Sequence, residues 1–587
     1  MPTLSWIGKE KVVNHHIQVP FRVLDHKYGY DSNNPERKDP TGSGNKIIHG
    51  ENLEALKALL PEFEGRIDCE YIDPPYNTGN EAWVYNDNVN DPHIKKWLGE
   101  VVGREGEDMS RHDKWLCMMY PRLRLLHKLL SPQGVLFISI DDNEEASLRM
   151  ICDEIFGVHC FVANISWQRT YSKRNDRQGF MTEVEHILVY SKNPNWLPNR
   201  LPRTDAMNQN YANPDNDSRP WASVIATAPS ASTHQGMVYA IQHPFTGHMI
   251  YPPIGRCWTF EQSEMFRIMS QWADYQYFDL DDKEQRATIC KVPKESVKEG
   301  VNAIVLAEPI ETAREKAEKI QNQGPWPMLY FTKNGLGGIR RKTYLDKVEG
   351  TPPTNYFPWS DVGHTDEATK ELIEIFGGES PFDTPKPTRL IERILTIATN
   401  KESIVLDSFA GSGTTAHAVL NKNAEDGGNR RFVLVELGDY AESVTAERVR
   451  KAMNGYGEGK NAVKGLGGSF DFYELGKPLF LEDNSLNHEV DIEKIRAYVY
   501  FSETRQPISQ GIDSSNQYWM GNNDNTGYYF YYNPDRPTNL SIRSLSKVIT
   551  QPADSYIVYA DTCSLSKEFL ATHHIYFKRI PIDIKRF

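Results

Sequence analysis

At 587 residues, 39% hydrophobic and 25% charged, the sequence has an ordinary globular composition and is too long for one core, so roughly three or four domains are expected. A formal net charge of −13 argues against a protein that grips duplex DNA through bulk charge alone, although clustered basic residues could still do so. Seven cysteines without a C-x-x-C pair read as reduced thiols of a cytoplasmic protein, and no zinc site, catalytic thiol, leader or apolar run of about 18 residues is indicated.

Residues 1–45 hold short apolar pieces, Val12-Val13 and Val19 to Leu24, followed by a loop-forming run from Asp31 to Gly44, and read as an N-terminal arm. Residues 46–192 carry regular patterning. Asn45 to His49 predicts a strand, and Asn52 to Leu60 a helix that Pro61 ends. Ile67, Cys69 and Tyr71 alternate as a strand that runs into Asp73-Pro74-Pro75-Tyr76.

Alone, those four residues could be a turn after a strand. They also suit the methylation of an amino group on a nucleobase. Such an amine is a poor nucleophile, because its lone pair is delocalised into the ring. The Asp73 carboxylate and the Pro74 carbonyl can both accept its hydrogen bonds, favouring a pyramidal nitrogen with an exposed lone pair. Pro75 fixes the backbone, and Tyr76 can stack on a base swung out of the duplex.

The polar stretch from Asn77 to about Arg111 reads as a functional loop over the flipped base. Trp115 to Leu130 predicts a helix stopped by Ser131-Pro132-Gln133-Gly134, and Val135 to Ile140 a strand buried on both faces. Asp141, Asp142 and Asn143 are read as caps of a helix reaching Phe156 and Gly157, in preference to a metal site. Between Ile165 and Phe180, Trp167, Tyr171 and Phe180 lie among Arg169, Lys173, Arg174 and Arg177. That mixture suits a single-stranded or extruded segment of DNA, or else is an exposed basic loop. Glu185 to Tyr190 predicts a further strand.

From 193 to 360 periodicity weakens while Pro, Asn, Trp and Tyr become frequent, as expected of an inserted target-recognition domain. Within it, Lys333, Arg340, Arg341 and Lys342 stand beside Gly335, Gly337 and Gly338 without an acid, and are the candidate phosphate or base contacts. Lys291 to Lys319 reads as loop and solvated helix. Regular patterning returns over 361–455, with a helix from Glu367 to Phe376 and another started by Pro387. Ser403 to Asp407 holds an apolar strand that enters Ser408-Phe409-Ala410-Gly411-Ser412-Gly413, with a helix from about Thr414. A cofactor can approach the backbone closely at such a turn. Arg431 to Glu436 predicts a strand ending in an acid able to hold two ribose hydroxyls; a nicotinamide cofactor is the rival, but the third Gly of its fingerprint is missing. Another helix is expected near Ala441 to Met453, then a linker over 456–490. Residues 491–587 read as a separate α+β module whose tyrosines offer contact surface or ordinary core.

With both motifs in view, the sequence resembles the amino-methylating DNA methyltransferases of the beta arrangement, in which the catalytic motif precedes the cofactor motif. More narrowly, it resembles the modification subunits of type III restriction-modification systems. The likeness covers most of the chain, including Ser5-Trp6-Ile7-Gly8-Lys9, Gly50-Glu51-Asn52-Leu53-Glu54-Ala55-Leu56, Phe137 to Glu144 and Phe382-Asp383-Thr384-Pro385-Lys386-Pro387. It implies an α/β, Rossmann-like sheet with permuted motif order, whose two strands before Asp73 and Asp407 are neighbours. It also implies S-adenosyl-L-methionine as methyl donor, held by Glu51, Asn52, Asp407, Phe409, Gly411, Gly413, Thr414 and Glu436, with Lys386 at its carboxylate. Glu51 departs from the pattern, where Asp is usual. The target implied is adenine in double-stranded DNA, cytosine being the lesser alternative. The partners implied are a second copy of the chain and a separate helicase-nuclease restriction subunit. A solitary methyltransferase, or a chain that mainly reads sequence for a nuclease assembly, are the other readings.

Overall fold

The apolar runs become the middle of one ten-stranded sheet. The computed structural model describes residues 4–35, 39–78, 111–171, 180–508 and 516–586. In chain order the strands are β1 (Arg22–Asp31), β2 (Lys46–His49), β3 (Ile67–Ile72), β4 (Leu130–Ile140), β5 (Phe161–Gln168), β6 (Val184–Ser191), β7 (Tyr356–Phe357), β8 (Ile404–Asp407), β9 (Arg431–Glu436) and β10 (Ser469–Pro478). Across the sheet they lie β1-β10-β2-β9-β8-β3-β4-β6-β5-β7. Neighbours from β10 to β4 run parallel, whereas β1 on β10 and β6 on β4 and β5 are antiparallel. Parallel strands need cover on both faces. Accordingly Val405, Leu406, Val433, Val435, Leu136 and Ile138 are all buried.

The helices that matter below are α1 (Asn52–Phe63), α2 (Arg111–Leu129), α3 (Glu145–Phe156), α4 (Thr365–Phe376), α5 (Thr388–Ala398), α6 (Thr414–Asp426), α7 (Glu447–Asn454) and α8 (Ile492–Thr504). Glu51 starts α1 by accepting the Glu54 N–H at 2.8 Å, and the helix continues past Pro61 to Phe63. Proline in a final turn removes only one backbone bond, so it does not stop the helix where expected. The Ser131–Gly134 turn is absorbed into β4 as an irregularity between the Ile67–Leu130 and Cys69–Val135 pairs.

Three expectations about chain organisation need correction. Residues 469–478 are no linker: β10 lies between β1 and β2, its Phe470 and Phe472 buried. Residues 22–31 of the supposed arm are an edge strand of the same sheet. The C-terminal residues do form their own four-stranded sheet, Trp519–Asn523, Thr526–Phe530, Ser555–Ala560 and Ile575–Arg579. Part of their core is nonetheless shared, since Tyr498, Phe501, Tyr528 and Phe530 pack in one cluster with Leu53, Leu56 and Trp115, while Tyr529, Val548, Val558 and Ile575 form a cluster of their own. Of the two readings of the tyrosines, contact surface or ordinary core, the second holds for Tyr498, Tyr500, Tyr528 and Tyr532, which are buried.

By contact the chain divides into two compact units, residues 1–199 with 353–587, and residues 200–352. The second unit has a four-stranded and a three-stranded sheet among its elements and a core rich in Trp221, Trp258, Trp272 and Phe331. Within Lys291 to Lys319 it hides a buried strand, Ala303–Leu306, paired antiparallel with Tyr275–Phe278. All seven cysteines are free thiols. Among the described residues no helix is long and apolar enough to cross a membrane.

Candidate active site

Strands β3 and β8 pair directly, with Val405 opposite Cys69 and Leu406 opposite Glu70. Being parallel, they end on the same side of the sheet, where α/β folds place their ligands. Asp73 and Asp407 therefore leave adjacent strands at one edge.

Asp73 is part-buried in a small cluster of opposite charges. Its Oδ2 accepts a hydrogen bond from Lys386 Nζ at 2.5 Å, and its Oδ1 accepts one from the Tyr76 hydroxyl at 2.9 Å. The same hydroxyl reaches Glu185 Oε2 at 3.1 Å, and Lys386 Nζ is 4.0 Å from that carboxylate. Arg169 closes the cluster with a 2.6 Å bond to Glu185 Oε1. Burial raises the Asp73 carboxyl above its ordinary range; Lys386 and the Tyr76 hydroxyl oppose the rise, and the charge of Glu185 adds to it. Trp115 on α2 donates its indole N–H to Pro75 O at 2.7 Å, tying the motif to the helix layer. Lys386 Nζ lies 5.1 Å from the centre of the Tyr76 ring.

Beside it, Asp407 organises the glycine turn. Its Oδ1 accepts the Phe409 N–H at 3.0 Å and its Oδ2 the Thr415 hydroxyl at 2.5 Å. Burial outweighs both bonds, and with the nearby charges of Asp73 and Glu436 it pushes the carboxyl up to about 7. Glu436 spans the next gap: Oε2 accepts Gly411 N–H at 2.7 Å, and Oε1 accepts Gly438 N–H at 2.8 Å and the Tyr440 hydroxyl at 2.9 Å. Gly411 and Gly413 have φ of 52° and 79°, backbone that side chains rarely adopt. A Cβ on Gly413 would also stand 2.9 Å from the Thr445 carbonyl oxygen. Asn52 gives its amide to the Ser408 carbonyl, leaving Asn52 Oδ1 and Ser408 Oγ buried without hydrogen-bond partners. A polar ligand at this turn would satisfy both atoms.

Each expected site residue can now be located. Asp73, Pro74, Pro75, Tyr76, Asn52, Asp407, Phe409, Gly411, Gly413, Thr414 and Glu436 gather along the ends of β3, β8 and β9 and the start of α1. Glu51 is occupied as the cap of α1 and as partner of Arg122. Lys386, expected at a donor carboxylate, instead bonds the catalytic candidate Asp73. Arg169, expected on DNA, is held by Glu185. Lys173 and Arg174, with most of the expected loop over the base, lie outside the described residues. In the second unit Lys333 is exposed on a turn, and Arg340 donates to Ser223 Oγ at 2.7 Å. Arg341 lies beside the Phe260 ring. Lys342 must be withdrawn from the candidate DNA contacts. It is wholly buried between Asp215 and Asp217, 2.8 Å from the latter, and cannot meet a phosphate. Glu185 was not foreseen, and a lone Glu in a strand gives no signal that it faces a tyrosine in the loop after β3.

The family model described as DNA methylase matches residues 67–447. The chain is 33% identical to the type III restriction-modification enzyme StyLTI Mod subunit of Salmonella typhimurium, covering 67% of this chain and 52% of that protein. It is 27% identical to the EcoPI Mod subunit of Escherichia phage P1, covering 78% and 66%. It is also 29% identical to the type II methyltransferase M.KpnI of Klebsiella pneumoniae, covering 69% and 84%. The chain thus spans about half to two thirds of the length of these type III relatives.

Proposed function

Because the chain belongs to the DNA methylase family, we propose that it is a site-specific DNA methyltransferase acting on the exocyclic amine of a flipped adenine. The observation that carries this reading is the pairing of β3 with β8, which sets the Asp73 cluster beside the glycine turn. S-adenosyl-L-methionine fits the turn. The carboxylates of Asp407 and Glu436, the backbone at Gly411 and Gly413, and the unpartnered Asn52 Oδ1 and Ser408 Oγ offer the acceptors and close approach a nucleoside with a polar tail requires. When bound, the donor supplies an electrophilic methyl carbon on a sulfonium.

The chain's own groups do the rest. Asp73 and the Pro74 carbonyl accept hydrogen bonds from the two amine N–H groups and turn the lone pair outward. Tyr76 stacks on the base while its hydroxyl steadies Asp73 and Glu185. As the new bond forms the nitrogen becomes acidic, and Asp73, its proton affinity raised by burial, accepts the proton. No strong base is needed.

The likeness to Mod subunits supports a role in a type III restriction-modification system, with double-stranded DNA and a restriction subunit as partners. The proposal further takes the chain to act in the cytoplasm with a second copy of itself. In this reading residues 200–352 recognise the sequence. The fuller coverage of M.KpnI favours a second reading, a methyltransferase that works without a restriction subunit. Asp73→Ala tests the chemistry: calorimetry should show donor binding intact while labelled methyl transfer to DNA is lost, and substantial residual transfer would overturn it. Capture of a helicase-nuclease chain from the native cell separates the two readings.

A further inference from the structure

Ahead of α7 the backbone is irregular. Asp439–Ala441 is a 3₁₀ turn, and Glu442–Ala446 a π turn, a feature frequent at functional sites. This stretch turns Thr445 and Arg448 onto the glycine turn. The Thr445 hydroxyl donates to Gly411 O at 2.6 Å, and Arg448 Nη1 donates to Ser412 Oγ at 3.0 Å and Thr414 Oγ1 at 2.8 Å. The other arm of the guanidinium leads elsewhere. Its Nη2 donates to Thr388 Oγ1 at 2.9 Å and to Glu371 Oε2 at 3.2 Å, and Thr388 itself donates to Glu371 at 2.6 Å. Thr388 opens α5 directly after Lys386-Pro387, and Lys386 is the cation on Asp73.

Arg448 is wholly buried, with one carboxylate for company and its Nε unpartnered. Burying a guanidinium costs more than a single ion pair restores, so a mere filler of the core would be better apolar. Its planar fork, however, can hold two segments in fixed relation as no apolar side chain can. We propose that Arg448 is a positioning residue that couples the donor cradle at Gly411–Thr414 to the placement of Lys386 on Asp73. The coupling rests on the methyltransferase reading above and adds to it a physical link between the two halves of the site.

The link has a signature that a scaffold would lack. Asp73 is faced by Lys386, Glu185 and the Tyr76 hydroxyl, with Arg169 behind Glu185 and Asp407 on the adjacent strand. Of these, Lys386 most strongly holds the Asp73 carboxyl down. If Thr388 no longer fixes that segment, the Asp73 carboxyl rises and the acid limb of methyl transfer moves to higher pH.

The experiment uses the full chain, tritiated S-adenosylmethionine and unmethylated genomic DNA, with donor affinity from calorimetry and stability from thermal melting. Thr388→Val keeps the shape and leaves Arg448 on Ser412 and Thr414. It should leave donor affinity within about twofold, lower kcat roughly tenfold and shift the acid limb upward. Arg448→Lys should shift the same limb and also weaken donor binding roughly tenfold, because one ammonium cannot reach both segments. In a Lys386→Met background, Thr388→Val should shift the limb no further. Should either variant fail to fold, the other decides. Variants that melt lower yet keep the wild-type acid limb and donor affinity would make Arg448 a scaffold and overturn the coupling alone. A wild type that binds no donor would overturn the functional reading, and the coupling with it.

Discussion

Asp407 ends β8 among buried neighbours, and its carboxyl is pushed up to about 7. A group raised in the folded chain above its unfolded value contributes stability below the unfolded value near 4 and loses it as pH rises through about 7. Asparagine imitates the protonated form: its oxygen can accept the Phe409 N–H and its amide can donate to Thr415. Asp407→Asn should therefore melt at or above wild type at pH 8, gain nothing at pH 4, and bind S-adenosylmethionine more weakly; differential scanning calorimetry and titration calorimetry read the two effects. At Asp73 the sign comes from a neighbour. Glu185 raises that carboxyl, so Glu185→Gln should move the acid limb of methyl transfer to lower pH while preserving an acceptor for the Tyr76 hydroxyl. Charge alone could not sort the basic residues at this scale. Lys333 and Lys342 look alike in sequence, yet one is exposed and the other sealed between two aspartates. Lys342→Met should cost on the order of 3–5 kcal/mol by stranding Asp215 and Asp217, and leave the salt dependence of DNA binding unchanged. Lys333→Ala should instead reduce the salt slope by about one without loss of stability, which filter binding across salt concentrations can measure.

Elements with a single strong signal were legible. The runs Val135–Ile140, Ile404–Asp407 and Arg431–Glu436 are apolar because both faces of a parallel sheet are covered, and each is a strand where the pattern placed it. The turn from Gly411 to Gly413 was legible for a related reason, since Gly-x-Gly at a strand end signals positive φ. Gly413→Ala forces a side chain into that backbone and toward the Thr445 carbonyl. It should lower stability by roughly 1–2 kcal/mol and weaken donor binding, as thermal melting and calorimetry would show. What escaped were elements whose neighbours masked them. Phe470 and Phe472 alternate as a strand should, but the glycines of 455–468 made the whole stretch read as linker. Ala303–Leu306 was too short to stand out between charged flanks. The role of Arg448 had no trace at all, because an arginine on an amphipathic helix normally reads as solvated.

For the whole molecule, the sequence indicated the class of fold and the meeting of two distant motifs, since a catalytic and a cofactor signature imply one shared sheet. It misjudged autonomy. Tyr498 packs on Phe21 with ring centres 4.5 Å apart, and Lys494 bonds Leu24 O at 2.8 Å and Asp25 at 2.6 Å, so α8 is bound to the N-terminal residues. A chain cut after residue 490 should lose its cooperative melt and expose apolar surface to a dye such as ANS, rather than yield an intact core lacking a module. The proposed second copy is therefore to be sought by light scattering on the full chain.

The place of β10 carries a consequence for how the protein is made. Arg22 on β1 bonds Gly476 on β10 across 454 positions of sequence, and β10 also separates β1 from β2. During translation β1 and β2 emerge well before the strand that joins them, which arrives only after the inserted unit and both motifs. At about 5–20 residues per second the wait is on the order of tens of seconds. Throughout it two strand edges stand open, and open edges invite pairing with other chains. Nascent copies crowded on one messenger are thus exposed to mispairing at these edges, a hazard that slower translation lengthens and a holding chaperone relieves.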